Sequence, residues 1–317
     1  MTTPLEYNAT IVERVDLTDA LSIFRILPDR LPAHPWFTAG QYCVLGLNNT
    51  VDPSLGSVRR SMSIASPPED DGPIEFYIRR VAVPESKNPF THLLWRLRHG
   101  DRIYMRTVAA GVFTIADTIG LQDRRLRILV ASGTGLAPFV SMIRSEVRRN
   151  PGADLSGWVL LHGASHAAEL GYRRELLELS ATHRLWYWGT VSRPHEASEW
   201  AGDVGRVDTF FQPARLRDLE DRLNLRPHRL TPHSAVVYVC GLSGTITATM
   251  DRLIDRGFIP HARPIREALD VPSDAADSLF FELYDPAPPI DVSDPSVMQP
   301  LRARMRVALA KMEVFRD

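Results

Sequence analysis

A glycine-rich turn between a predicted strand and a predicted helix is the stretch of this sequence best suited to chemistry. The apolar run Ile128–Ala131 has the pattern of a buried strand, Ser132-Gly133-Thr134-Gly135 follows it, and helical spacing begins at Ala137. Glycines let the backbone approach an anion, and the N–H groups and dipole of a helix N-terminus attract it. Pro138 fits the first turn of such a helix. The turn predicts a phosphate site, although a plain structural crossover would share the pattern.

Composition indicates an ordinary globular protein of about two domains. The 317 residues are 44% hydrophobic and 24% charged, and the net charge is −1. This charge favours neither nucleic acid nor an anionic membrane as a partner, and no apolar run approaches the roughly 20 residues that span a bilayer. The first residues lack the pattern of a secretion signal, so we expect a cytoplasmic protein.

The chain has only two cysteines, Cys43 and Cys240. Two thiols cannot hold an iron–sulfur cluster by cysteine ligation alone. A disulfide is conceivable, but in a reducing compartment we expect two free thiols. We predict no metal site.

The region before the turn has the pattern of an antiparallel β domain. Six short segments are rich in β-branched or aromatic residues and are bounded by Pro, Gly, Asn or Asp, namely Glu6–Leu17, Ser22–Leu27, Tyr42–Leu47, Arg60–Ala65, Ile74–Val81 and Arg102–Thr107. Short strands at such spacing favour a small barrel or a sandwich. One helix is predicted among them, over Phe90–Arg98, because apolar residues recur there at helical spacing before Gly100.

From about Arg125 onward, strands and helices alternate, which predicts a parallel sheet covered by helices. The predicted strands are Arg127–Ala131, Trp158–His162, Leu185–Val191 and Ala235–Cys240. The predicted helices are Ala137–Arg148, Ala167–Leu179, Ala214–Leu223 and Gly244–Arg256. The fold class is therefore a β domain followed by an α/β domain, with the boundary in the linker Asp117–Arg125.

We place the first domain at residues 1–120, the second at 121–284 and a C-terminal extension at 285–317. The extension begins with the proline-rich stretch Asp285–Pro295, which we expect to be extended or irregular. A terminal helix is predicted over Pro300–Lys311.

Short motifs follow one another along most of the chain. They are Arg60-Ser61-Met62-Ser63, Glu75–Arg80, Asn88–Thr91, Ala109–Phe113, Gly133–Phe139, Leu161–Ser165, Glu169–Tyr172, Val191–Arg193, Gly205-Arg206 and Val239–Gly241. Each motif is short, but their order and spacing together are specific. Over roughly residues 6–284 the sequence resembles the bacterial-type ferredoxin/flavodoxin–NADP⁺ reductases. The resemblance implies a flavin-binding β-barrel that holds FAD, followed by a Rossmann-like domain that binds NADP(H).

The resemblance assigns FAD contacts to three segments of the first domain. Arg60 would pair with the pyrophosphate, as a guanidinium suits phosphate oxygens, and Ser63 would offer its hydroxyl to flavin N5. The other implied FAD contacts are Ser61, Met62, Tyr77, Ile78, Arg79, Pro89, Phe90 and Thr91, with Thr134 of the second domain close to the flavin. Tyr77 could instead be barrel core.

Met62 is a departure from the family motif, which has tyrosine at this position. Methionine keeps an apolar contact through its polarizable sulfur but loses the hydroxyl. We therefore expect weaker FAD binding unless another residue compensates. Asn88 replaces a family glycine, although asparagine tolerates positive φ better than most residues.

In the second domain the resemblance implies an NADP(H) site. Gly133, Thr134, Gly135 and Pro138 would face the pyrophosphate and the nicotinamide ribose. Arg193 and Arg206 match two arginine positions for the 2′-phosphate, while a third falls on Ser165, so one cation is missing. No Asp or Glu lies in His162–Ser165 to hold a free 2′-hydroxyl, which favours NADP(H) over NAD(H).

The resemblance also implies a nicotinamide end of the site. Cys240 and Gly241 would lie there, with the Cys240 thiol against nicotinamide C4 in a steric and polar role. Without the resemblance, Cys240 would be interpreted as a buried hydrophobe. Tyr284 falls in a Glu-x-Tyr pattern and is a candidate for stacking on the flavin. The extension after it could cover the FAD adenine, mediate a dimer contact or be loosely ordered.

The implied activity is hydride transfer from NADPH to FAD, followed by single-electron transfer to a ferredoxin or a flavodoxin. Ser63, Cys240 and Tyr284 are the residues implied at the reacting atoms. A basic surface of Arg96, Arg98, Arg102 and Arg106 could receive the carrier. We expect a monomer. Two alternatives are a reductase component of an oxygenase system and a non-catalytic flavin- or nucleotide-binding regulator on the same fold.

Overall fold

A computed structural model describes residues 4–84, 86–194, 200–284 and 288–314. They form two compact units. The first runs to Leu121 and also includes Leu136–Ala153, and the second comprises Gln122–Gly135 and the chain from Asp154 onward. The helix that follows the glycine turn therefore groups with the first unit. The domain boundaries predicted above remain a prediction.

The first unit contains a six-stranded antiparallel sheet that closes on itself. Its strands are β1 (Ala9–Thr18), β2 (Leu21–Pro28), β3 (Tyr42–Asn48), β4 (Ser57–Ser63), β5 (Ile74–Arg79) and β6 (Arg102–Met105). The order is β4-β3-β6-β1-β2-β5, and a bridge between Ile64 and Phe76 joins the two edges. Because this bridge closes the sheet into a barrel, which has no free edges, the predicted barrel is confirmed. Its core holds Ile11, Phe24, Leu45, Phe76 and Met105, all fully buried.

The α-helices described in this unit are α1 (Phe90–Leu94), α2 (Ile115–Thr118) and α3 (Ala137–Arg149). Helix α1 is shorter than predicted. The Arg14 guanidinium accounts for its early end, since it donates to the carbonyl oxygens of Trp95 and Leu97, each at 3.0 Å. Helix α2 was not predicted, because four residues give no usable periodicity.

A polar stripe on α3 fastens this helix to the segment that follows β4. Ser141 Oγ donates to the carbonyl oxygen of Ser66 at 2.6 Å, and Arg144 Nη1 lies 2.7 Å from Glu75 Oε1. The Glu75 carboxylate is buried and also accepts from Arg25 Nε at 2.8 Å. A buried carboxylate with two guanidinium partners is compensated for its lost hydration, so the charge holds α3 and the barrel together.

The second unit contains a six-stranded parallel sheet. Its strands are β7 (Leu126–Ser132), β8 (Trp158–Ala164), β9 (Trp186–Val191), β10 (Asp203–Val204), β11 (Ala235–Gly241) and β12 (Leu279–Leu283), in the order β10-β9-β8-β7-β11-β12. The four predicted strands are confirmed. Strand β10, which has two residues, and strand β12, which ends just before the proline-rich stretch Asp285–Pro295, were not predicted.

Helices of the second unit are α4 (Arg173–His183), α5 (Pro213–Arg222), α6 (Ser243–Ile254), α7 (Arg263–Ala268) and α8 (Pro295–Val314). Helix α4 begins later than the predicted Ala167, because Tyr172 adopts a φ of 58° and interrupts the helical path. Helices α5 and α6 lie where the sequence predicts them. Helix α7 was not predicted.

The C-terminal extension is ordered through α8 and is part of the second hydrophobic core. Met298, Leu301 and Met305 are buried there, and three such side chains stabilise the packed helix by roughly 1.5–3 kcal/mol each. Helix α8 begins at Pro295, earlier than predicted, because the Asp294 carboxylate accepts the Ser296 amide at 2.8 Å and caps the first turn. The suggestion of a loosely ordered extension is therefore wrong for its described part.

Within the described ranges, no helix is both long enough and apolar enough to cross a membrane. The same residues contain no group of three or more His, Cys, Asp or Glu side chains that could hold a metal ion. Both cysteines are buried and free, as predicted.

Candidate functional site

The carboxyl ends of the parallel strands carry the residues predicted to bind NADP(H). The glycine turn follows β7, Ser165 follows β8, Arg193 follows β9, Arg206 follows β10, Cys240 and Gly241 end β11, and Tyr284 follows β12. The strand order puts the two arginines on one side of the glycine turn and Cys240 with Tyr284 on the other. The chain passes to opposite sides of β7 for β8 and β11, and such a switch point is where open α/β sheets bind ligands.

The glycine turn packs against the end of β11 through main-chain atoms. A Cβ atom at Gly135 would overlap the carbonyl oxygen of Cys240, and one at Gly241 would lie 2.9 Å from Ser132 Cβ. Gly133 differs, since its φ of +55° favours glycine, and a Cβ atom there would have no atom of the described residues within 4 Å apart from its chain neighbours. The turn is thus closely packed at Gly135 and open at Gly133. A ligand could approach the backbone at the open position.

The helix after this turn starts as the sequence predicts. A 3₁₀ turn over Gly133–Leu136 leads into α3 at Ala137, and Pro138 occupies the first turn of the helix. In the described chain, no side chain caps this N-terminus by a hydrogen bond. Because Leu136 continues the helical path of the 3₁₀ turn, the N–H groups without a helical partner belong to the start of that turn, at Gly133 and Thr134, where the phosphate hypothesis requires them.

Main-chain pairing brings the three residues predicted for the 2′-phosphate to one edge of the sheet. The Arg193 amide donates to the Ser165 carbonyl oxygen at 2.9 Å, and the Gly205 amide donates to the Val191 carbonyl oxygen at 2.8 Å. Arg206 follows Gly205 directly. Both arginines are exposed, so their charges are available to a ligand from solvent.

The two arginines differ in how they are held. Arg206 Nε lies 3.0 Å from Asp208 Oδ1, and the Asp208 carboxylate is buried and also pairs with Arg252 of α6. This contact uses Nε and leaves the terminal nitrogens of Arg206 to other partners. The Arg193 guanidinium has no ion-pair partner among the residues described.

Glu169 lies beside Ser165, although no acidic residue stands at the strand end itself. Its Oε2 atom accepts the Ser165 amide at 3.1 Å and the His166 amide at 3.3 Å. The carboxylate is buried and caps the short turn over Ala167–Glu169. We interpret Glu169 as a capping residue, because its oxygen is occupied by main-chain donors.

Tyr284 lies on the other side of the glycine turn. It contacts Thr134 of the turn and Cys240 at the end of β11. The Cys240 side chain is fully buried. Burial and then the negative charge of Glu282 raise the pKa of the Cys240 thiol well above its usual range, against smaller opposing effects of hydrogen bonds from Tyr284 and the Gly241 backbone. The thiol is therefore protonated at neutral pH, which excludes a nucleophilic role there.

Tyr284 lies over this end of the site. Its hydroxyl donates to the Thr134 carbonyl oxygen at 3.4 Å, and its main-chain amide donates to the Gly241 carbonyl oxygen at 3.2 Å. The side chain is 40% exposed. Tyr284 is thus partly exposed to solvent while its hydroxyl contacts the turn.

The predicted FAD residues on β4 alternate between the two faces of the strand. Met62 is half-buried and packs against the barrel core. Arg60 and Ser61 are exposed. Ser63 is half-buried and pairs with Tyr42 of β3, which places both side chains on one face.

Predicted FAD residues on β5 and α1 fall into buried and accessible groups. Ile78 and Phe90 are part of the barrel core, so either could reach a cofactor only through its main chain. Tyr77 is also buried, and Arg79 is half-buried. Thr91 Oγ1 accepts the Val81 amide at 3.2 Å, and Pro89 precedes the first residue of α1.

Of the arginines predicted to receive an electron carrier, Arg102 is already occupied. It contacts Asp29, Thr10 and the main chain of Tyr7. The exposed residues Arg96, Arg98 and Arg106 remain available. We therefore remove Arg102 from the predicted surface.

Two contacts that shape this site were not predicted from the sequence. Asp208 orients Arg206. In the sequence, only the position of this carboxylate two residues after a candidate arginine could have indicated the contact. Glu282 is the register partner of Cys240 across β11 and β12. The pairing was not predictable, because β12 itself was missed.

The chain is similar to several known proteins. A family model described as an oxidoreductase NAD-binding domain matches residues 129–251. The chain is 33% identical over 233 residues to a flavodoxin/ferredoxin–NADP reductase of Rhodobacter capsulatus, which covers 71% of this chain and 76% of that protein. It is 29% identical over 204 residues to the phenol hydroxylase P5 protein of Acinetobacter pittii, over 64% of this chain and 52% of that protein.

A solved structure shares the fold. A ferredoxin NADP⁺ reductase from Neisseria gonorrhoeae, with bound FAD and NADP, aligns with a TM-score of 0.67 at 22% identity. The alignment covers 87% of this chain and 97% of the other. The likeness shows the β-barrel and parallel-sheet fold.

Proposed function

We propose that this chain, which belongs to the ferredoxin/flavodoxin–NADP reductase family of oxidoreductases, passes electrons from NADPH through FAD to a ferredoxin or a flavodoxin. The observation that carries the proposal is the arrangement along the sheet edge, with two exposed arginines, an open glycine turn, and Cys240 beside Tyr284. NADPH has its groups in the same order. Its 2′-phosphate would lie at the two arginines, its pyrophosphate at the glycine turn and its nicotinamide at Cys240 and Tyr284.

The glycine turn suits the pyrophosphate. Open space at Gly133 and an uncapped α3 N-terminus supply donors and room, whereas a side chain at Gly133 would fill that space. Arg193 and Arg206 would bind the 2′-phosphate, and the Ser165 hydroxyl would donate a hydrogen bond where a third cation is missing. Phosphate oxygens accept paired hydrogen bonds from guanidinium groups, so we propose a preference for NADPH over NADH.

Residues of the barrel suit FAD in the same way. The exposed Arg60 guanidinium provides a cation for the pyrophosphate, and the Thr91 hydroxyl lies at the start of α1. We assign Ser63 to the flavin N5 position, with Met62, Tyr77 and Arg79 as further contacts.

When bound, NADPH supplies a hydride that FAD accepts, and FAD can release the two electrons one at a time. The chain itself contributes alignment and the exclusion of water. The buried Cys240 thiol is protonated and apolar in character, so it shapes the nicotinamide end without reacting. The Tyr284 ring lies beside Cys240 and Thr134, so it must move aside when nicotinamide enters.

A second candidate function is the reductase component of an oxygenase system. The similarity to the phenol hydroxylase P5 protein favours it. The two functions share the NADPH and FAD steps and differ in the electron acceptor. With only two cysteines, these 317 residues cannot supply four cysteine ligands to an iron–sulfur cluster, and in either function we propose that the electrons pass to a separate carrier protein.

The acceptor can be identified by cytochrome c reduction with NADPH. We expect a rate that depends on added ferredoxin or flavodoxin and saturates with it. Replacing Arg96 and Arg98 by glutamine should raise the carrier concentration needed for half the maximal rate, whereas Arg226→Gln, in the second unit, should not. A rate that no carrier increases would contradict the proposed acceptor, and protein that does not take up FAD would favour a non-catalytic regulator.

A further inference from the structure

Asp208 is a buried carboxylate that lies between two arginines of the second unit. It belongs to the 3₁₀ turn Val207–Phe211, and its Oδ1 atom lies 3.0 Å from Arg206 Nε. Its Oδ2 atom pairs with Nη1 of Arg252 on α6. A buried carboxylate needs such partners, because burial removes its hydration. Among the described residues, this cluster therefore has two positive charges and one negative charge.

The hydrophobic core fixes the position of Asp208. The neighbouring Val207 is buried and lies so close to β8 that a Cβ atom at Gly163 would be 2.7 Å from the Val207 Cβ. Phe210 of the same turn is buried in the core that also contains the inner face of α6. The Asp208 carboxylate thus stays beside Arg206, whichever other groups compensate its charge.

Arg252 and Arg206 differ in their access to solvent. The Arg252 side chain is 23% exposed and also donates to the carbonyl oxygen of Ala248, one turn earlier in α6, at 3.2 Å. The Arg206 side chain is 59% exposed, and its Nη2 atom lies 3.6 Å from the position that a Cβ atom at Gly244 would take. Of these two arginines, Arg206 is therefore the one that can offer its terminal nitrogens to a ligand from solvent.

We infer that Arg252 is a positioning residue that sets the preference for NADPH, because it acts through Asp208 on Arg206. By neutralising the Asp208 carboxylate, Arg252 leaves the positive charge of Arg206 to the 2′-phosphate. Without Arg252, the buried carboxylate would draw on Arg206 for compensation and cancel its charge. The inference rests on the proposed function, from which it takes the role of Arg206 at the 2′-phosphate.

The test is anaerobic reduction of the flavin in the FAD-loaded full-length protein at increasing concentrations of NADPH or NADH. We expect Arg252→Met to raise the Kd for NADPH about fivefold, since water screens an unbalanced charge at a partly exposed site incompletely. The limiting rate of reduction should not change, because the nicotinamide lies at the other end of the cofactor. The Kd for NADH, which lacks the 2′-phosphate, should stay the same.

Two rescue variants separate charge balance from a general loss of structure. Arg252→Lys keeps the positive charge and should restore most of the affinity for NADPH. Asp208→Asn in the Arg252→Met background removes the unbalanced carboxylate and should restore it as well. A structural defect would not be repaired by a second substitution in the same buried cluster.

Arg256 supplies the matched control. It lies one turn beyond Arg252, and its Nη1 atom is 3.0 Å from Oε1 of the buried Glu220 carboxylate. Glu220 also accepts the Leu230 amide, ahead of β11, so this pair belongs to the opposite end of the sheet. Arg256→Met breaks a comparable pair with a buried carboxylate and should change neither Kd.

The outcomes distinguish this inference from the proposed function. If NADPH reduces the wild-type flavin but Arg252→Met leaves its Kd unchanged, or raises the Kd for NADH equally, the inference is overturned. Failure of both rescue variants, or an equal effect of Arg256→Met, would also overturn it. If NADPH does not reduce the wild-type flavin, or binds no more tightly than NADH, the proposed function or its cofactor preference is wrong, and the inference falls with it.

Discussion

The main-chain amide of Arg193 donates a hydrogen bond to the carbonyl oxygen of Ser165 across 2.9 Å. This bond continues the pairing of β8 with β9 beyond its last register pair, Ala164 with Val191. The positions of Arg193 and Ser165 are thus fixed by the backbone and not by their side chains. Side-chain substitutions at these positions therefore test ligand binding with little disturbance of the fold.

Replacing Arg193 by alanine should weaken the binding of NADPH. Hydrogen bonds to a charged group contribute about 1.5–3 kcal/mol, so we expect the KM for NADPH to rise at least about tenfold. The KM for NADH should stay nearly unchanged, because NADH has no 2′-phosphate. Steady-state kinetics with both cofactors measure this, with Arg226→Ala as a control at an exposed position. An equal effect on both cofactors would remove Arg193 from the 2′-phosphate site.

The Cys240 thiol should be unreactive in the folded protein. It is fully buried, and its pKa is raised well above the usual range by burial and then by the charge of Glu282. Cys43 is also buried, and burial raises its thiol pKa. A thiol-specific disulfide reagent at pH 8 should therefore titrate no thiol in the native state and two after unfolding in urea. A native thiol that reacts, and that Cys240→Ala abolishes, would contradict this assignment.

Stability should fall as the pH decreases below about 6.5 because of His162. Burial lowers the pKa of this imidazole to about 3, and its Nε2 atom has no partner within the described part of the chain. Between these pH values the unfolded chain binds a proton that the folded chain does not. The neutral imidazole therefore favours the folded state at neutral pH. On acidification to pH 5 this group should lower the free energy of unfolding by about 2 kcal/mol.

Urea unfolding at pH 7 and pH 5 measures that loss. His162→Gln removes the titrating group and should reduce the difference between the two pH values. The exposed His99 is the matched control, and His99→Gln should leave the difference as it is. A full pH dependence in His162→Gln would show that other groups cause it.

Replacing Met62 by tyrosine should tighten FAD binding. Met62 packs against the edge of the barrel core, and tyrosine would add a hydroxyl toward the ribityl chain. One added hydrogen bond would lower the FAD dissociation constant by about fivefold, measured by fluorescence as FAD is released. Met62→Phe adds the ring alone and should gain less. Equal gains from both variants would show that the hydroxyl has no part in binding.

The sequence predicted the elements that carry long, regular patterns. All six barrel strands and the four longer parallel strands have clear periodicity, and the glycine turn with Pro138 lies where it was expected. The missed strands β10 and β12 are short, with two and five residues. Local pattern could not identify them, because their stability comes from pairing with β9 and β11.

The site could be predicted only in part for a similar reason. Arg193 and Arg206 are predicted from their motifs, and their place in the site stays a prediction, whereas the contact of Asp208 with Arg206 depends on the fold that also brings Arg252 of α6 to Asp208. The position of Glu169 beside Ser165 likewise depends on a short turn that was predicted as regular helix. Neither relationship has a signal in residue spacing.

The proposed electron transfer is tested most directly by mixing FAD-loaded protein with NADPH or NADH without oxygen and following the flavin absorbance. We expect NADPH to bleach the flavin much faster than NADH, and we expect Arg193→Ala to remove most of this difference. An equal or faster rate with NADH would contradict the roles given to Arg193 and Arg206, and flavin that neither cofactor bleaches would contradict the proposed function itself.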